Sequence, residues 1–153
     1  MKNSWRPQPD NPRAPVTDAA DRNLNISVVF TSVESTLAPL KEAGSLANAL
    51  GAQLTLIVAQ VVPYPLPLET PPILRDFSEN RFRMIASKSP VETSVQIYLC
   101  RDRFKTLTSV LKPGTLMVLG GRIGRWRWWP TKDERLARRI RRAGYEVLFK
   151  ETG

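Results

Sequence analysis

The chain has 153 residues, enough for one folded domain with a buried core, and carries a formal charge of +9 with no histidine and one cysteine. Without histidine, Ser-His-Asp and Cys-His nucleophile pairs and all histidine-ligated metals are excluded, and a lone thiol makes a zinc site or an internal disulfide untenable. Carboxylates, Lys, Arg, hydroxyls and backbone amides are left for any chemistry.

In chain order, residues 1–24 are rich in Pro, Asp, Asn and Arg and read as a disordered tail, and residues 25–153 as one α/β domain. The N-terminal stretch MKNSWRPQPDNPRAPVTD has no apolar segment resembling a secretory signal, and no run approaches the roughly 18 apolar residues of a membrane span. A cytoplasmic location is therefore expected. Five short apolar runs follow: ISVVF (26–30), LTLIVA (54–59), VQIYL (95–99), LMVLG (116–120) and YEVLF (145–149). Most are near-continuous in apolar or β-branched residues, which predicts strands of a parallel sheet buried on both faces. Cys100, closing the third run, reads as a buried, inert thiol.

Helical patterns fill the gaps. Over 36–50, Leu37, Leu40, Gly44, Ala47 and Leu50 share one face, with Pro39 placed in the first turn and Gly51 just past the end. The proline-studded stretch after the second strand reads as loop, and a helix is expected to begin near Pro72. Residues 102–111 form a short helix stopped by Lys112-Pro113-Gly114. Thr131-Lys-Asp-Glu134 is a capping box that opens a basic helix ending at Gly144. Alternating strands and helices predict an open, doubly wound α/β sandwich whose ligands sit beyond the carboxyl ends of the strands, at the topological switch point. The turn after the first strand, Cys100-Arg-Asp, and the stretch GGRIGRWRWWPTKDER (120–135) should converge there.

The segment ISVVFTSVESTLAPLKEAGSLANALGAQLTLIVAQ is similar to the first β-α-β unit of universal stress proteins; GTLMVLGGR and TKDERLARRIRRAGYEVLFK resemble the fourth strand and the last helix and strand of that family. The resemblance covers about residues 25–151. It implies strand order 3-2-1-4-5, helices on both faces and, in many members, an adenine nucleotide such as ATP at the switch point. Nucleotide-binding members carry Gly-x2-Gly-x9-Gly-(Ser/Thr), with backbone amides around the phosphates. Here Gly121-Arg-Ile-Gly124, or Gly120 with Ile123, supplies the opening, Pro130-Thr131 replaces the closing pair, and the loop is about three residues short. Thr31 stands where the family has Asp, and Arg101 where it has Gly. The nucleotide motif is thus degenerate. Arg101 either fills the pocket or offers a phosphate partner. The residues the resemblance places about a nucleotide are Thr31, Ser32, Val58, Arg101, Gly120, Gly121, Arg122, Gly124 and Thr131.

Residues 120–153 hold Arg122, Arg125, Arg127, Lys132, Arg135, Arg138, Arg139, Arg141, Arg142 and Lys150 against Asp133, Glu134, Glu146 and Glu151, so one end of the domain is basic. Arg125, Trp126, Arg127, Trp128 and Trp129 form a bulky loop open to three readings. It plugs the vacated pocket, docks an acidic protein, or meets an anionic membrane or single-stranded nucleic acid. The arginines of the last helix spread over more than one face and no DNA-reading motif accompanies them, so specific DNA binding is not expected. Gly-x4-Gly-Lys-(Ser/Thr) and Gly-x-Ser-x-Gly are both absent, and no catalysis is expected. In the family the last strand often pairs with its twin, which implies a homodimer through residues 145–150. An edge blunted by Lys150 and Glu151 would instead leave a monomer.

Overall fold

The computed structural model describes residues 24–62, 64, 75–124 and 129–152. Residues 1–23 of the expected tail, most of the proline-rich stretch, the helix start near Pro72 and residues 125–128 lie outside them. Five strands, β1 (Asn25–Val29), β2 (Gln53–Val61), β3 (Thr93–Cys100), β4 (Leu116–Gly121) and β5 (Glu146–Glu151), form one parallel sheet in the order β3-β2-β1-β4-β5. Four helices connect them: α1 (Val33–Leu50), α2 (Arg75–Ala86), α3 (Arg103–Val110) and α4 (Lys132–Arg142).

Strand alternation divides the core in two. Ile26, Val28, Leu54, Leu56, Val58 and Val118 face Leu40, Ala43 and Ala47 of α1 and Phe82 and Ile85 of α2. Their neighbours Val29, Ile57, Met117 and Leu119 face the other way, onto Leu107 of α3 and Leu136, Ala137 and Ile140 of α4. Helices therefore cover both faces, as the apolar runs predict. Cys100 is buried in the second layer. Among the described residues, no helix is long and apolar enough to cross a membrane.

Two helical details differ from expectation. Ser32 caps α1 by accepting from the Ser35 amide at 3.1 Å, so the helix begins three residues earlier than the periodicity indicated and Pro39 falls in its second turn. Proline there removes the amide that would bond the Ser35 carbonyl. That carbonyl instead lies against Gly120 of β4, where a Cβ would collide with both the Ser35 oxygen and the Pro39 ring. At the other end Leu50 is exposed, because Gly51 (φ 66°) turns the chain away from the sheet after Ala47. Buried Thr36, Pro39 and Ala43 complete the face that Leu50 was expected to share.

Candidate functional site at the switch point

The chain leaves β1 towards β2 on one side and β4 towards β5 on the other, so the ends of β1 and β4 frame the crevice where such sheets hold ligands. Thr31, in the place of the family's aspartate, closes it from one side. Its hydroxyl donates to the Gly120 carbonyl at 2.9 Å, and its amide donates to the buried Thr36 hydroxyl at 3.2 Å. A residue that would carry charge in a metal-bridged site is here a latch between two strands. Ser32 is engaged as the α1 cap, and the Val58 side chain belongs to the core at 3% exposure.

Arg101, following β3, reaches across the sheet end rather than towards the glycines. It donates to the Val62 carbonyl at 2.7 Å and its guanidinium sits 4.1 Å from the Tyr64 ring centroid. These contacts tie Arg101 to the chain that follows β2.

The glycine stretch and the start of α4 form one hydrogen-bonded knot. Gly120 packs on α1; Gly121, paired with Glu151, leaves space for Asp133, and its carbonyl accepts from the Thr152 amide at 2.8 Å. Thr131 caps α4, accepting from the Glu134 amide at 3.2 Å while its hydroxyl donates to the carbonyl of exposed Arg122 at 2.8 Å. The Glu134 carboxylate turns back to accept from the Thr131 amide at 3.1 Å, and also from the Gly124 amide. Gly124 itself abuts the Trp129 carbonyl and Pro130, so the chain departs at 124 and returns at 129 side by side.

The Glu134 carboxylate thus occupies the N-terminal end of α4. Backbone amides at a helix N-terminus attract negative charge, and Glu134 supplies that charge from within the chain. Desolvation raises its pKa, but the amides of Thr131 and Gly124, the Arg138 charge and the Thr131 hydroxyl together outweigh it, and the group ends below its ordinary value. Asp133 behaves oppositely. Burial raises its pKa, and the Arg103 and Lys132 charges offset only part of the rise. Sequence reasoning identified the capping box but not the second bond of Glu134, to Gly124. The signal available was the shortened loop, which brings that glycine back to the helix start.

On the far side of α4 the charge is of one sign. Leu136, Ala137 and Ile140 face the sheet, while Lys132, Arg135, Arg138, Arg139, Arg141 and Arg142 are all exposed. Trp129, at the entrance to the helix, is 71% exposed, so this ring does not plug the crevice. Arg125, Trp126, Arg127 and Trp128 lie outside the described residues.

The molecule is thus an open α/β sandwich whose crevice is built from a strand-end glycine loop and a capped helix. No family model matches the sequence, and no curated protein matches it. Among solved structures, a protein of the universal stress protein family from Burkholderia pseudomallei superposes with a TM-score of 0.54 at 18% identity, covering 82% of this chain and 93% of that one. A universal stress protein in complex with cAMP gives a TM-score of 0.52 at 19% identity, covering 86% and 98% respectively. The fold is that of the universal stress proteins.

Proposed function

We propose that this chain is a non-catalytic regulatory or binding module of the universal stress protein type whose adenine-nucleotide site is degenerate. The observation that carries this reading is the Glu134 carboxylate, which accepts from the Gly124 and Thr131 amides that a phosphate would need. Thr31 and Arg101 support it, since each is committed to a protein carbonyl. A neighbour of the same fold is a universal stress protein in complex with cAMP, which supports ATP and cAMP as the ligands to test. Here a phosphate must displace an internal carboxylate, and binding is correspondingly weak.

The test is a titration with Mg-ATP, cAMP, GTP and pyrophosphate followed by intrinsic tryptophan fluorescence. The native chain should give no saturable, adenine-selective change at micromolar ligand. Glu134→Ala, with its fold checked by circular dichroism, should gain at least tenfold in pyrophosphate affinity. Micromolar, adenine-selective binding by the native chain would refute the degenerate-site reading.

A second reading, docking of an anionic partner at the basic end of the domain, is favoured by the exposed cations of α4 and by exposed Trp129. It is compatible with the first, because Asp133 packs against Gly121 and the Glu134 carboxylate is bound to the Gly124 and Thr131 amides. A homodimer through β5 fits the open edge of that strand, where Leu148 is 42% exposed and Lys150 is drawn aside by Glu42 of α1 at 2.5 Å.

A further inference from the structure

Helix α4 presents a predominantly cationic arc. At about 100° per residue, Lys132, Arg135, Arg138, Arg139, Arg141 and Arg142 span roughly half the helix circumference, opposite the buried stripe of Leu136, Ala137 and Ile140. One carboxylate, Glu134, falls within it between Arg141 and Arg138, and its side chain is drawn back to the start of the helix. The helix has two carboxylates, of which Asp133 packs against Gly121 and Glu134 is bound to Gly124 and Thr131. Two of the arginines are held in place: Arg139 lies 4.1 Å from the Phe104 ring centroid, and Arg141 donates to the Val147 carbonyl at 3.1 Å.

Three anionic partners compete for such a surface, and its composition separates them. A protein interface has an apolar centre depleted of charge, and this arc has charge at its centre and no apolar residue. A helix that lies in a membrane needs its apolar side, and here that side is spent on the sheet. A phosphate backbone asks only for closely spaced cations, preferably arginine with its planar fork, and five of the six are arginine. Resting on the second reading above, we infer that the exposed face of α4 binds the phosphate backbone of nucleic acid without reading its sequence.

The geometry sets the size of the effect. Arg135 to Arg142 spans seven residues, about 10 Å of helix, alongside which a duplex carries about six phosphates. Neutralising about four of them gives a slope of roughly −3.6 in a plot of log affinity against log salt, or about 10²-fold weaker binding between 50 and 200 mM.

The experiment is fluorescence anisotropy of a labelled 20-base-pair duplex and a 20-nucleotide single strand of unrelated sequences across that salt range, with polyglutamate and anionic phospholipid vesicles as parallel probes. The native chain should bind both nucleic acids whatever their sequence, with a slope of about −3.6 on the duplex and about −2.8 on the single strand. The triple variant Arg135→Gln, Arg138→Gln, Arg142→Gln changes only exposed positions and should flatten the slope by about 2.7, while Lys41→Gln on the opposite helical layer should leave it unchanged. An unaltered slope in the triple variant would overturn the assignment to α4. Binding to polyglutamate or vesicles without binding to nucleic acid would overturn the inference and leave the anionic-partner reading standing. Binding to none of the probes would overturn both.

Discussion

Replacement of Gly120 by alanine tests the packing that sets the crevice. A methyl group built at Gly120 would lie 2.0 Å from the Ser35 carbonyl oxygen and 2.4 Å from Cγ of Pro39, whereas real Cβ atoms are essentially never within 3.0 Å of such neighbours. About 1 Å of separation must therefore be gained between β4 and α1. Neither partner can yield by a rotamer change, since one is helix backbone and the other a buried ring. Overpacking of this kind costs about 1–3 kcal/mol, and the rigid obstacle places Gly120→Ala near the upper end. For a chain of this size a loss of about 3 kcal/mol lowers Tm by roughly 6–12 °C. Thermal and urea unfolding followed by circular dichroism would read it, with Gly51→Ala as comparison. At Gly51 nothing lies within 4 Å, and only the strain of φ 66° is added, about 1–2 kcal/mol. If Gly120→Ala were within about 0.5 kcal/mol of the native chain, the close approach of β4 to α1 would be refuted.

Thr131→Ala removes the α4 cap and the bond to the Arg122 carbonyl, and should cost about 1–2 kcal/mol in urea unfolding. Because Glu134 has a lowered pKa in the fold, the stability it contributes is fully present above its unfolded value, about 4.3, and is lost as the pH falls through the folded one. Glu134→Gln should therefore be less stable than the native chain at pH 7, and the difference should shrink below about pH 4.3 in urea titrations at stepped pH. Asp133, with a raised pKa, has the opposite sign: its ionisation disfavours the fold, so Asp133→Asn should remove a small gain in stability seen as the pH falls through that raised pKa. Leu148→Arg on the β5 edge should shift the chain from dimer to monomer in sedimentation velocity at micromolar concentration, and an unchanged sedimentation coefficient would remove β5 as the interface.

The sheet was legible because its strands are apolar on both faces and its helices carry ordinary stop signals. Gly51 and Gly144 take the positive φ that ends a helix, and Lys112-Pro113-Gly114 cannot continue one. Legibility failed where a tertiary contact overrode local pattern. Periodicity placed Pro39 in a first turn because a proline deeper in a helix leaves a carbonyl without its donor, but the glycine that receives that carbonyl is eighty-one residues away in sequence. Positions 146–149 of β5 alternate between exposed and half-buried, since among the described residues no further strand lies beyond it, as the expected strand order implies.

The crevice was less legible than the fold for a related reason. A glycine-rich stretch before a capped helix reads the same whether its amides await a phosphate or already hold a carboxylate. The distinction lies in loop length. With its closing Gly-(Ser/Thr) replaced by Pro130-Thr131, the chain returns at Trp129 directly against Gly124, and that return places the Gly124 amide within reach of the third residue of α4. The same glutamate that completes an ordinary capping box then serves a second amide. On the proposed reading, a carboxylate with two backbone donors stands where a phosphate would otherwise sit, while the six cations of α4 remain exposed.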